Sequence, residues 1–313
     1  MTEWQPRHLA EQTGRTFVIT GANSGVGLEA ARDLVGRGAH VVLACRDTAA
    51  GERARAAITS DARGTAEVRE LDLADLDSVA AFAKGLTEQL DTDGRLLNAL
   101  VCNAGVMGGP FLLTTQGYER QIGTNHLGHA ALITALWPAL HTAGGRVVIV
   151  GSIAARGGQL SATTTREDLL APSPYASQKV YSNSKQANLL FAQELHRRAV
   201  AAGSPVSVVA CHPGVAWTNL FSRQMRDEGK AWVLPFLTVV RPIVFQSSAA
   251  GALPTLRALD SSTPSGSFVG PSGLMQSRGK PKLLEPFSTV DDPAAAARLA
   301  ELTEDILGTP LPV

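Results

Sequence analysis

The stretch Thr16-Phe17-Val18-Ile19-Thr20-Gly21-Ala22-Asn23-Ser24-Gly25-Val26-Gly27 decides the fold. Five β-branched or aromatic residues run into a turn of small ones, and an amphipathic run, Val26–Arg37, follows. This order reads as strand, glycine turn, helix. Glycines let the chain turn sharply and let a phosphate approach the backbone. The helix start then offers unpaired N–H groups and a partial positive charge. The spacing, G-x-x-x-G-x-G, is one residue longer than the commonest dinucleotide pattern between the first two glycines. We read Gly21, Asn23, Ser24, Gly25, Val26 and Gly27 as a dinucleotide cradle; the bland alternative is a purely structural turn.

Outward from this stretch the pattern repeats. Strands are predicted at Thr16–Thr20, His40–Cys45, Glu67–Leu71, Leu97–Cys102, Arg146–Val150 and Val206–Cys211. Several are unbroken apolar runs, the mark of strands buried on both faces of a parallel sheet. Helical patterns lie between them: Val26–Arg37, Ala49–Ile58, Leu76–Leu90, Tyr118–Leu140 and Val180–Ala202. The alternation predicts an α/β, single-domain Rossmann fold, a doubly wound parallel sheet with helices on both faces. Residues 14–212 form the expected cofactor-binding and catalytic core, 213–280 a substrate-lid region with two helices, and 281–313 a loop and C-terminal helix. Ser152–Ser177 is a long irregular connection.

Composition narrows the function. The chain has 313 residues, 44% hydrophobic, enough to bury roughly three quarters of the unfolded surface. Lys and Arg number 28, as do Asp and Glu, so no basic excess favours nucleic acid. Three cysteines without a CxxC pair point to a reducing, cytoplasmic setting. The longest apolar stretch, Val233–Phe245, is too short to span a bilayer, and no secretory or anchoring segment is expected at the N-terminus.

The end of the second predicted strand, Leu43-Ala44-Cys45-Arg46-Asp47, selects the cofactor. No acid stands there for the ribose 2′-hydroxyl of NAD, and Arg46 is placed to take the 2′-phosphate of NADP. Asp72, with Leu73 beside it, is placed for the adenine, or else caps its own turn. Asn103-Ala104-Gly105 ends the fourth strand. Asn103 would pin the strand end, and Gly105 leaves room for the ribose.

Ser152 lies just past the fifth strand. Tyr181 and Lys185 are four apart, hence on one helical face. A phenol near pKa 10 is a poor base at neutral pH, and a neighbouring ammonium lowers it. Tyr181 would then exchange a proton with a substrate oxygen that Ser152 also hydrogen-bonds. Tyr175 and Lys179 have the same spacing but straddle a helix start, with Ser177 as the N-cap. Asn125 sits mid-helix, where asparagine is mildly unfavourable, and is placed to hold a water linking Lys185 to solvent; the alternative is a surface residue or a helix bend near Gly123 and Gly128. His126 and His129 read as packing or surface histidines.

Together these residues resemble the short-chain dehydrogenase/reductase family, from about residue 14 to at least 220. The resemblance implies an Asn125, Ser152, Tyr181, Lys185 tetrad, with Tyr181 and Lys185 also on the nicotinamide side of the cofactor. His212-Pro213-Gly214-Val215-Ala216-Trp217-Thr218 resembles the family's Pro-Gly segment, so Pro213, Gly214, the Val215 backbone and the Thr218 hydroxyl are implied at the cofactor, and Trp217 at the substrate. Ala44-Cys45-Arg46, Thr124–His129, Tyr181–Asn188 and the wide gap between Ser152 and Tyr181 resemble the retinol dehydrogenase-like branch, with WW-domain oxidoreductases and protochlorophyllide reductases. Cys102 replaces the first asparagine of the family's Asn-Asn-Ala-Gly.

The expected function is NADP(H)-dependent interconversion of an alcohol and a carbonyl on a lipophilic or polycyclic small molecule, with Trp232–Leu237 as an apolar lid. The alternatives are a carbon–carbon double-bond reductase and a non-catalytic NADP-binding protein. The tyrosine helix often pairs subunits in this family, so a homo-oligomer stays open.

Overall fold

The computed structural model describes residues 4–171, 173–215 and 246–313. The strands are Thr16–Thr20 (β1), His40–Cys45 (β2), Thr65–Glu70 (β3), Leu97–Cys102 (β4), Arg146–Val150 (β5), Ser207–Cys211 (β6), Phe268–Pro271 (β7) and Pro281–Leu284 (β8). They form one sheet in the order β3-β2-β1-β4-β5-β6-β7-β8. All neighbours pair in parallel except β7 and β8, which are antiparallel. The winding direction reverses between β1 and β4, and the crevice there opens at the carboxyl ends of the strands, where such sheets bind ligands.

The helices are Gly25–Gly36 (α1), Thr48–Thr59 (α2), Leu76–Asp93 (α3), the single turn Arg120–Ile122 (α4), Gly128–Ala143 (α5), Arg166–Leu170 (α6), Ser177–Ala201 (α7), Ser248–Leu259 (α8) and Pro293–Leu307 (α9). Successive strand side chains point to opposite faces, so each apolar strand feeds two cores. Phe17, Ile19, Val41 and Leu43 pack with residues of α1, α2 and α8. Val18, Val42, Leu100 and Val147 pack with residues of α3, α5, α7 and α9. The helices obey local signals. In α3, Asp75 caps the start by accepting from Asp77 N–H, Val79, Phe82, Ala83, Leu86 and Leu90 make the buried stripe, and Gly94 ends it in the left-handed conformation.

The structure departs from expectation at several places, among them helix α6 inside the connection 152–177 expected to be irregular. Strand β3 begins at Thr65 and ends at Glu70, before Leu71. The single helix expected over 118–140 is broken: a π-turn, Gly123–Leu127, separates α4 from α5. Strands β7 and β8 were not foreseen, so the sheet is not wholly parallel and residues 281–313 open with a strand. The N-cap of α7 is Ala176, without a side-chain cap bond, not Ser177. Of the two helices expected within 213–280, α8 is seen. Val233–Phe245, Trp217, Thr218 and the lid residues Trp232–Leu237 lie outside the described residues.

Candidate active site

Every predicted site residue that the structure describes sits at the carboxyl edge of the sheet. Gly21 follows β1, with φ +65°, and Gly25 opens α1, with φ +61°; only glycine takes such angles without strain. A Cβ on Gly27 would lie 2.5 Å from Asn103 Nδ2 and 3.0 Å from Gly21 O. The turn is therefore closed to larger side chains. Ser24 is the N-cap but makes no side-chain cap bond, which leaves first-turn N–H groups for an anion. These features fit a pyrophosphate. Asn103 pins the strand end as expected, donating from Nδ2 to Thr20 O at 2.8 Å.

Beyond the ends of β2 and β3, Arg46 Nη1 stands 3.8 Å from Asp72 Oδ2, and the Arg46 side chain is 65% exposed. Asp72 also accepts Ala74 N–H at 2.9 Å, so it closes its own turn. Leu73 is buried in the core, and its carbonyl lies where a Cβ on Gly128 would collide.

At the other end, Tyr181 and Lys185 are buried, 6% and 4% exposed. Lys185 Nζ donates to Val150 O at the end of β5, 3.2 Å, and burial lowers its pKa to about 8. A Cβ on Gly105 would approach Lys185 Nζ to 3.4 Å and Asn125 Oδ1 to 3.3 Å, so Gly105 keeps the space above both open. Ser152 caps a short 3-10 turn, Ile153–Gly157, accepting from Ala154 N–H at 3.2 Å, and its side chain acts on the Tyr181 phenol.

The electrostatics correct one expectation. Burial raises the Tyr181 phenol above its ordinary value, and the Ser152 hydrogen bond pulls it back. The ammonium of Lys185 is engaged with Val150 instead. The phenol is thus held protonated rather than acidified.

Asn125 is wholly buried in the π-turn. Its Oδ1 accepts Val106 N–H at 2.7 Å, and its Nδ2 donates to Val106 O and to Ser184 Oγ, both at 2.9 Å. Ser184 Oγ donates to Tyr181 O at 2.8 Å. Val106 and Ser184 were missed from the sequence; a serine three residues after Tyr181 was the available signal. The Tyr175 pair is elsewhere. Tyr175 donates to Glu119 at 3.3 Å and accepts from Gln121 at 3.2 Å, while Lys179 is exposed.

Gly214 has φ +67°. Val215 N–H donates to Ser277 O at 2.7 Å and Val215 O accepts Gln246 N–H at 3.0 Å. The Val215 carbonyl keeps a second lone pair for the backbone contact with the cofactor that the family resemblance implies. Pro213 O accepts from the Gln246 side chain. His126 and His129 are buried packing histidines, neutral because burial lowers them to about 3 and about 4.

A glycine-cradled nucleotide crevice with a serine, tyrosine and lysine at its far end is the arrangement of a dinucleotide-dependent oxidoreductase. A family model described as short chain dehydrogenase matches residues 15–164. Retinol dehydrogenase 12 of Mus musculus is 42% identical over 209 residues, 66% of this chain and 63% of that protein. The chain therefore matches less than two thirds of that relative's length. The WW domain-containing oxidoreductase of Danio rerio is 35% identical over 96% of this chain and 70% of its own. A crystal structure of an uncharacterized protein from Mycobacterium Paratuberculosis is 40% identical, covers 100% of both chains and superposes with a TM-score of 0.78. A short-chain dehydrogenase from Sphingobium yanoikuyae in complex with NADPH shares the fold at 24% identity, covering 78% of this chain and 83% of its own, TM-score 0.58. The chain belongs to the short-chain dehydrogenase/reductase family, within its retinol dehydrogenase-like branch. Among the described residues, no helix is long and apolar enough to cross a membrane.

Proposed function

We propose that the chain is an NADP(H)-dependent oxidoreductase that interconverts an alcohol and a carbonyl on a lipophilic or polycyclic small molecule. The meeting of the Ser152 and Tyr181 side chains, with Lys185 buried one helical turn on, carries this reading. Bound NADP(H) would supply hydride exchange, held at its phosphates by Gly21–Gly27 and at the 2′-phosphate by Arg46.

The chain's own residues handle the proton. Tyr181, kept protonated by burial, donates to a substrate carbonyl oxygen. Ser152, which accepts from Ala154 N–H, turns its hydroxyl hydrogen from Tyr181 to the substrate oxygen and steadies the charge growing there. Lys185, held on Val150 O one helical turn from Tyr181, ties α7 to the end of β5. Asn125 holds Val106 and α7 in place. Support for a lipophilic substrate comes from the retinol dehydrogenase relatives, and for NADP from Arg46 where an NAD enzyme would carry an acid. The buried, unpaired Cys45, Cys102 and Cys211 suit a reducing cytoplasm.

The test is NADPH consumption by the purified full chain with a panel of retinoid and polycyclic ketones. Tyr181→Phe should lower turnover by about 10²–10⁴-fold and leave NADPH affinity intact, while Tyr175→Phe retains most activity. A panel without turnover, or an active Tyr181→Phe, overturns the proposal.

A further inference from the structure

One buried chain of hydrogen bonds joins the glycine turn to the tyrosine helix, and a histidine ring closes it. Thr20, the last residue of β1, accepts Asn103 N–H and Ala104 N–H at its Oγ1, both at 2.9 Å. The same Oγ1 lies 2.9 Å from His129 Nε2. Across the ring, Nδ1 lies 2.9 Å from the backbone carbonyl of Asn125. Thr20 and Asn125 are 0% exposed and His129 is 3% exposed, so water does not substitute for these partners.

Chemistry fixes the ring. A carbonyl oxygen only accepts, so Nδ1 carries the hydrogen. The buried ring is neutral, so Nε2 is bare, and at 2.9 Å it takes the Thr20 hydroxyl hydrogen ahead of Val101 O at 3.3 Å. The Thr20 oxygen then receives the two amides of the turn after β4. The π-turn makes room for this. Gly128 N–H donates to Gly123 O, five residues back, and the slipped register presents Asn125 O to the His129 side chain. From Asn125 the path continues through Ser184 to Tyr181 O.

We propose that His129 is a positioning residue, whose ring locks the dinucleotide turn to the turn carrying Asn125, so that cofactor crevice and tyrosine helix move as one body. This rests on the reading of the crevice as an NADP(H) site. It assigns a role to a histidine that the sequence marked only as a packing or surface residue.

The test uses the full chain, with NADPH affinity measured by fluorescence titration and the His129 ring observed in long-range 1H–15N spectra, assigned by its loss in His129→Leu. The wild-type ring should be the neutral Nδ1–H tautomer at neutral pH, and Thr20→Val should shift its Nε2 resonance. His129→Leu and Thr20→Val should each weaken NADPH binding about tenfold. The double variant should be no worse than the poorer single one. His129→Gln, which keeps a donor and an acceptor, and Thr20→Ser should stay near wild type. A ring carrying its hydrogen on Nε2, losses that multiply in the double variant, or no rescue by glutamine overturns this proposal alone. A wild type that binds neither NADPH nor NADH overturns the reading of the crevice as well. The wild-type spectra need no cofactor, so they judge the ring even if a variant binds no NADPH.

Discussion

Burying an ammonium among neutral neighbours is unfavourable, and Lys185 carries that penalty in its pKa of about 8, against 10.5 for an ordinary lysine. The folded-state value is depressed, so between about pH 8 and 10.5 the unfolded chain binds more protons than the folded one. Stability therefore rises with pH through that window. The gap amounts to about 3 kcal/mol. Lys185→Met should be more stable than wild type at neutral pH, by up to that amount, with the difference closing towards pH 10.5. Urea unfolding at stepped pH checks this, and a constant difference across the window would refute it. The residue types of the site were legible in the sequence because spacing alone puts Tyr181 and Lys185 on one face. The direction of the Tyr181 shift was not, because it depends on burial and on where Lys185 finds an acceptor.

At the scale of elements, β1 to β6 were legible because their β-branched runs are continuous. Strands β7 and β8 were not: four residues each, Phe268-Val269-Gly270-Pro271 and Pro281-Lys282-Leu283-Leu284 carry glycine or proline and no alternation. The π-turn was legible only as a helix bend near Gly123 and Gly128, an alternative reading of Asn125, since one slipped hydrogen bond leaves no trace beyond its glycines. It requires close approach at both ends, where a Cβ on Gly123 or Gly128 would strike Thr114 or Leu73. Helix α9 locks onto this region. His126 Nε2 lies 2.8 Å from Thr303 Oγ1, and Leu299 is 2% exposed in the shared core. Leu299→Ala should destabilise the fold by about 2–5 kcal/mol in chemical denaturation. A loss below about 1 kcal/mol would show that α9 is loosely held.

At the scale of the molecule, residues 180–192 of α7 are all buried within the chain itself. That run of the tyrosine helix leaves no open face for a second copy, and α9 supplies much of the cover. Cofactor binding should register globally. NADPH at a hundred times its Kd should add about 2.7 kcal/mol to stability, seen as a rise in Tm. Arg46→Ala should reduce that gain for NADPH while leaving the response to NADH unchanged; an equal response of wild type to both cofactors would remove Arg46 from the selection. The two margins of the sheet have a further consequence. One is β3, with Glu67, Arg69 and Glu70, and the other is β8, four residues long with Pro281 and Lys282. Proline withholds a donor and the charges repel a stacked neighbour. Concentrated solutions of the folded chain should accordingly resist fibril growth, with any clumping arising from unfolded material and not from native molecules zipping together at their rims.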